Sequence, residues 1–208
     1  MDKEMPTEGT NRNLHGGAPD QSPVALLLID VINDLEFDGG EDLLHNALPM
    51  AQCISALRAR ARELNIPVIY VNDNFGRWQS DFKKLIDHCL HDGVLGKPIV
   101  ELLLPADKDY FVLKPKHSGF YSTTLEVLLE HLGVHTLILA GMAAEICVLF
   151  TANDAHMRDY QLIIPADCVA SEQKERSSYV LKLMERVLKA DVSPAAKLDL
   201  EALLKDNK

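Results

Sequence analysis

The residues of this 208-residue chain best suited to covalent chemistry are a cysteine near a helix start and a lysine and an aspartate at strand ends. Cys147 lies in LILAGMAAEICVLFTANDA, a few residues beyond an apolar run and within the first turn of the helical pattern that follows. A thiol placed there feels the positive end of the helix dipole and nearby backbone N–H groups, both of which favour thiolate. The competing reading is packing, because free cysteine is among the most buried residue types. For Cys53 in a helical stretch, Cys89 in a second helix and Cys168 in a loop, packing is the preferred reading.

Asp30 closes the run LLLID, where an acid can equally cap the strand end or the helix after it. Lys114, in FVLKPKHSGF, sits at a strand end that offers an ammonium little solvent, and a buried lysine needs a carboxylate partner. Asp30 and Lys114 would satisfy one another and together flank the Cys147 thiol. An ordinary thiol, with a pKa of about 8.5, is only a few per cent ionised at neutral pH, so a neighbouring ammonium and carboxylate base raise its reactivity.

The pattern of elements supplies the positions. Val24 to Ile29 is a continuous apolar run ending at Asp30, the signature of a strand buried on both faces of a parallel sheet. Helical spacing over Leu43 to Leu64 and a second strand over Ile66 to Val71 complete a βαβ unit. Asn72 to Ser80 is polar and turn-like, and Asp81 to His91 is helical. Tyr110 to Lys114, His135 to Ala140 and Gln161 to Pro165 read as further strands. Thr124 to Leu132, stopped by Gly133, with Glu145 to Asp159 and Lys174 to Leu188, read as helices. Such alternation implies an α/β fold of three α/β/α layers, with a central parallel sheet of about six strands and right-handed crossovers. In open sheets of this kind ligands bind beyond the carboxyl ends of the strands, where Asp30, Asn72, Lys114 and Gly141 all fall.

Composition narrows the function classes. A net charge of -10 argues against a nucleic-acid or anionic-membrane surface. Four scattered cysteines without a C-x-x-C pair, and no secretory signal at the start, point to a reducing cytoplasm. No apolar stretch approaches the roughly 20 residues that cross a bilayer. Residues 1–22 are rich in Gly, Pro, Asn and charge and read as a flexible tail, leaving 23–208 as one domain.

The segments ALLLIDVINDLEF, YFVLKPKHSGFYSTTLE and LILAGMAAEICVLFTANDAHMRDYQLIIPADCVAS resemble, in order, the three signature regions of isochorismatase-like cysteine hydrolases. The resemblance covers roughly residues 23–192 and implies a Rossmann-like sheet with Asp30, Lys114 and Cys147 as catalytic residues. It further implies an oxyanion hole formed by the N–H groups of Ala143 and Cys147, a cis Met142–Ala143 bond, and a homo-oligomer, dimer or tetramer. The expected activity is hydrolysis of a C–N bond in a small amide, carbamoyl or ureido compound through a thioester. Vinyl-ether hydrolysis is the rival within enzymes, although relatives of that kind lack the cysteine; a non-catalytic binding protein on the same fold is the rival outside them.

The chain also departs from the pattern. Ala144 stands where a Thr is common, Glu145 where Asp or Asn is, and His117-Ser118-Gly119-Phe120 replaces Tyr-Ser-Ala-Phe. Nicotinamidase-type relatives carry an acid and several His after the second strand, whereas Asn72 to Trp78 here contains no His. No metal or other cofactor is expected, the spacing of His88, Cys89 and His91 describing the exposed face of a helix. Asn74, Trp78 and His117 are the candidate substrate contacts, with Arg77 a further pocket-lining candidate.

Overall fold

A computed structural model describes residues 21–73 and 81–205. The expected tail is outside them except for Gln21 and Ser22, and the candidate contacts Asn74 and Trp78 also lie outside the described residues. Ser22 itself is buried and tied down, its N–H donating to Leu132 O at 2.9 Å.

The strands are β1 (Val24–Ile29), β2 (Val68–Asp73), β3 (Tyr110–Lys114), β4 (Thr136–Met142), β5 (Gln161–Ile163) and β6 (Val169–Ala170). They form one parallel sheet in the order β3-β2-β1-β4-β5, with β6 pairing β4 beyond the end of β5. The helices are α1 (Gly40–Glu63), α2 (Phe82–His91), α3 (Lys97–Leu102), α4 (Leu125–Leu132), α5 (Leu149–His156), α6 (Lys174–Leu188) and α7 (Leu200–Lys205).

The pleat of β1 divides the interior in two, because successive side chains point to opposite faces. Val24, Leu26 and Leu28 pack with Leu43, Ala47, Ile54 and Leu57 of α1 and with residues of α2 and α3. Ala25, Leu27 and Ile29 pack with Leu125 and Leu129 of α4, Ala152 of α5 and Val180 and Met184 of α6. Every β1 side chain is fully buried, which explains the unbroken apolar run.

Two departures from the sequence reading concern the site. Strand β2 runs on through Asn72 and Asp73, paired with Leu113 and Lys114, instead of ending at Val71. The helix expected over Glu145 to Asp159 opens as a π-helical turn, Ala144–Val148, and becomes α5 only at Leu149. The N–H groups of Val148 and Leu149 donate to Ala143 and Ala144 carbonyls five residues back, which widens the turn around Cys147.

Candidate active site

At the carboxyl edge of the sheet, register alone brings the candidates together: Ile29 lies opposite both Val71 and Gly141, and Asp73 lies opposite Lys114. Asp30 leaves its strand in the left-handed conformation, φ 52°, which Asp tolerates better than most residues. Its N–H still donates to Val71 O at 3.0 Å while its carboxylate turns toward β2 and β3. Gly141 has φ 127°, and a Cβ there would stand 2.0 Å from Ile29 O, so only glycine lets β4 approach β1 this closely.

Lys114 is fully buried, and its Nζ lies 2.9 Å from Asp30 Oδ2, 3.4 Å from Asp73 Oδ2 and 3.4 Å from Cys147 Sγ. It also donates to Lys116 O at 3.2 Å. Asp30 Oδ1 accepts the Asp73 N–H at 2.7 Å. Asp73 is thus a second carboxylate at this centre, one the sequence reading passed over as part of a polar turn. Its signal was present, since it is one residue beyond Asn72 at a strand end. Asn72 is turned away, its Nδ2 donating to Ile32 O at 2.6 Å.

Burial raises the Asp30 carboxyl above its ordinary value, while the Lys114 ammonium and the Cys147 thiol hold it down. Burial pulls the other way on Lys114, but Asp30 and Cys147 outweigh it and keep the ammonium more basic than usual. The Cys147 thiol is pushed up to about 12, first by burial and next by the Asp30 carboxylate, against the pull of Lys114. The helix-start position was expected to favour thiolate; burial and Asp30 act the other way. Burial thus opposes the charged forms of Asp30 and Cys147, while Asp30 and Cys147 together favour the charged form of Lys114.

The surroundings brace the thiol. Thr151 Oγ1 donates to Cys147 O at 2.7 Å and accepts the Gly119 N–H at 3.0 Å, and Ser118 Oγ donates to Asp154. A Cβ on Gly119 would come within 2.8 Å of Val71 Cγ1, which accounts for glycine in the altered motif. Ala144 is fully buried in the core beside α5. The Met142–Ala143 bond is cis. His117 is exposed, its ring centroid 5.5 Å from that of Phe150.

Among the described residues no group of three or more His, Cys, Asp or Glu is arranged to hold a metal ion. His88 instead contacts Asp92 and Asp34, His91 bonds Asp87 O, and Cys89 is buried. All four cysteines are free, and no described helix is long and apolar enough to cross a membrane.

A parallel α/β sheet carrying an Asp–Lys–Cys cluster at its carboxyl edge fits the class that the motifs resemble. The sequence model of the Isochorismatase domain matches residues 24–196, and the chain belongs to the isochorismatase family, whose members are hydrolases. It is 45% identical over 169 residues to the isochorismatase family protein YaaI of Bacillus subtilis (strain 168), covering 81% of this chain and 92% of that protein. An isochorismatase family protein of Desulfovibrio vulgaris superposes with a TM-score of 0.70 at 25% identity, over 88% of this chain and 99% of that one. N-carbamoylsarcosine amidase of Thermoplasma acidophilum superposes with a TM-score of 0.63 at 26% identity, over 85% and 98%.

Proposed function

We propose that this chain hydrolyses a C–N bond in a small amide, carbamoyl or ureido compound, with Cys147 as nucleophile, Asp30 as acid and base, and Lys114 as the charge between them. The observation that carries this reading is the single ammonium held 2.9 Å from the Asp30 carboxylate and 3.4 Å from the Cys147 sulfur. A protonated thiol beside a carboxylate needs a base at the moment of attack, and Asp30 is in place to be that base.

Asp30 takes the thiol proton as Sγ bonds to the carbonyl carbon, and Lys114 stabilises the negative charge as it appears on sulfur. Backbone N–H groups of Ala143 and Cys147, at the start of the nucleophile's turn, receive the developing oxyanion. The C–N bond then breaks as Asp30 returns the proton to the departing nitrogen, leaving a thioester. Water adds to the thioester and gives a proton to Asp30. The C–S bond breaks, the acid departs, and the thiol recovers its proton. His117, exposed three residues beyond Lys114, is the described candidate for a substrate contact.

The resemblance to an amidase of N-carbamoylsarcosine supports the choice of bond. A panel of small amides, carbamoyl compounds and ureas, with a vinyl ether for contrast, tests it against a Cys147→Ala control. Release of ammonia or amine by the wild type alone is expected. No release from any member, or equal release by the control, rejects the reading.

A further inference from the structure

Glu145, two residues before the nucleophile, belongs to a polar assembly that the chemistry above does not use. Its Oε2 accepts the hydroxyl of Ser171, which is fully buried, and Ser171 Oγ in turn accepts the hydroxyl of Ser177 at 2.9 Å. Each hydroxyl has one proton, so the chain runs in one direction, from Ser177 through Ser171 to the carboxylate, and each bond polarises the next. Arg176 NH1 lies 3.5 Å from Glu145 Oε1 and 3.6 Å from Glu172 Oε2. From the opposite side, Asn46 Nδ2 on α1 donates to Ser171 O at 3.0 Å and Glu172 O at 2.9 Å. Ser171 directly follows β6, which pairs with Gly141 and Met142 of β4. Two side chains, Ser171 and Arg176, therefore meet the Glu145 carboxylate of the π-helical turn, and Ser177 and Asn46 hold Ser171 in turn.

A single π-helical turn is rare and found frequently at functional sites. The turn carries both Cys147 and the backbone that precedes it, and a misplacement of about 1 Å in a reacting group costs roughly a hundredfold in rate. We infer that Glu145 is a positioning residue: through Ser171 it clamps the Ala144–Val148 turn to the β6–α6 junction and holds Cys147 against Asp30 and Lys114. The inference rests on Cys147 being the nucleophile. It assigns a task to the residue by which this chain departs from the Asp or Asn of its relatives, a side chain one methylene longer than Asp that reaches Ser171.

The hydrogen bond and the charge can be separated. Glu145→Gln keeps an oxygen able to accept from Ser171 but loses the attraction for Arg176, while Glu145→Ala and Ser171→Ala remove the bond. With the amide that the wild type turns over fastest, the two Ala variants are expected to lose at least about tenfold in kcat with KM within about threefold. Glu145→Gln is expected to stay within about threefold of wild type, and the double Ala variant to lose no more than either single one. Mass mapping after iodoacetamide treatment supplies a readout that needs no substrate. In the Ala variants Cys147 is expected to label several-fold faster, the released turn being more open to solvent, while buried Cys89 and Cys168 stay unlabelled. Unchanged kcat and unchanged Cys147 labelling in both Ala variants would overturn the proposal. Labelling of Cys89 and Cys168 in parallel, the mark of general loosening, would overturn it too, as would a Gln variant as impaired as Ala. If the wild type cleaves no amide, the proposed function fails by itself and the labelling comparison still judges the clamp.

Discussion

Lys114 Nζ lies 3.4 Å from Cys147 Sγ with no solvent exposure, so in the proposed attack the charge on sulfur would meet a fixed ammonium instead of water. In such a site electrostatic support is strong because little dielectric screening intervenes. Lys114→Met should therefore lower kcat/KM by at least about a hundredfold. It should also lower Tm, since removing one member of a buried ion pair costs about 3 to 5 kcal/mol. Asp30→Asn should be comparably inactive, and the Asp30→Asn/Lys114→Met pair should show losses well short of additive. Fully additive losses would mean that the two groups act separately.

Cys147→Ser and Cys147→Ala should abolish turnover while leaving Tm within a few degrees of wild type. The thiol is half-buried and contributes little packing beside the large apolar layer under it. Rapid acid quench of the wild type with a slow amide should reveal an intact-mass increase equal to the acyl group, located on Cys147 by peptide mapping. An adduct on another residue, or retained activity in Cys147→Ala, contradicts the thioester route.

Much of this centre was legible in the sequence, and the rest was hidden for identifiable reasons. Val24–Ile29, Tyr110–Lys114 and Lys174–Leu188 lie where the apolar patterns place them, because each pattern is set by the core it faces. Asp30, Lys114 and Cys147 stood out together, because a lysine at such a strand end needs a carboxylate, a thiol gains from both, and all three fall in the motifs that carry the family resemblance. Asp73 did not, because polarity suggested a turn where the pairing with Lys114 keeps the chain extended. Strand β6 is two residues long, too short for any period to register. The π-helical turn reads as helix from its composition; what distinguishes it is the clamp from Ser171 and Arg176, distant in sequence.

The pH profile follows from the directions of the shifts. The reactive form holds Asp30 ionised, and burial raises the Asp30 pKa above 3.8, so activity should fall with acidity in a limb lying above the ordinary carboxylate range. No matching alkaline limb is expected through mildly basic pH. Lys114 stays charged beyond its ordinary 10.5 and the thiol holds its proton to about 12. A plot of log(kcat/KM) against pH checks both, and a narrow bell centred near neutrality would contradict them.

Stability should carry a separate signature from His88 on α2. Its hydrogen bond to Asp92, with help from Asp34 in the loop after Asp30, raises the imidazole pKa above 6.5. A group more basic in the folded state stabilises it fully below its unfolded value, and that contribution disappears as pH rises through the folded value. His88→Gln should thus lower Tm slightly at pH 5.5 and leave it unchanged at pH 9. The effect is small because the ring is exposed and solvent screens the pair. Equal effects at both pH values would assign His88 a packing role.

The sharpest test of the second carboxylate is Asp73→Asn. Asp30 and Asp73 share one ammonium, Lys114 Nζ, at 2.9 Å and 3.4 Å. A like charge this near disfavours ionisation of its neighbour, and it also draws off part of the ammonium that favours ionisation. Asn at position 73 keeps the backbone N–H that Asp30 Oδ1 accepts at 2.7 Å and keeps an oxygen for Lys114, so the geometry should hold. What changes is charge: the Asp30 carboxylate loses a repelling neighbour and gains an undivided ammonium, and its pKa falls. The acid limb of kcat/KM should then move to lower pH by a few tenths to one unit, with the plateau rate within about threefold of wild type. If the limb stays where it was or moves upward, Asp73 does not act on Asp30 through Lys114. If the plateau falls by orders of magnitude with the limb unmoved, Asp73 touches the substrate instead.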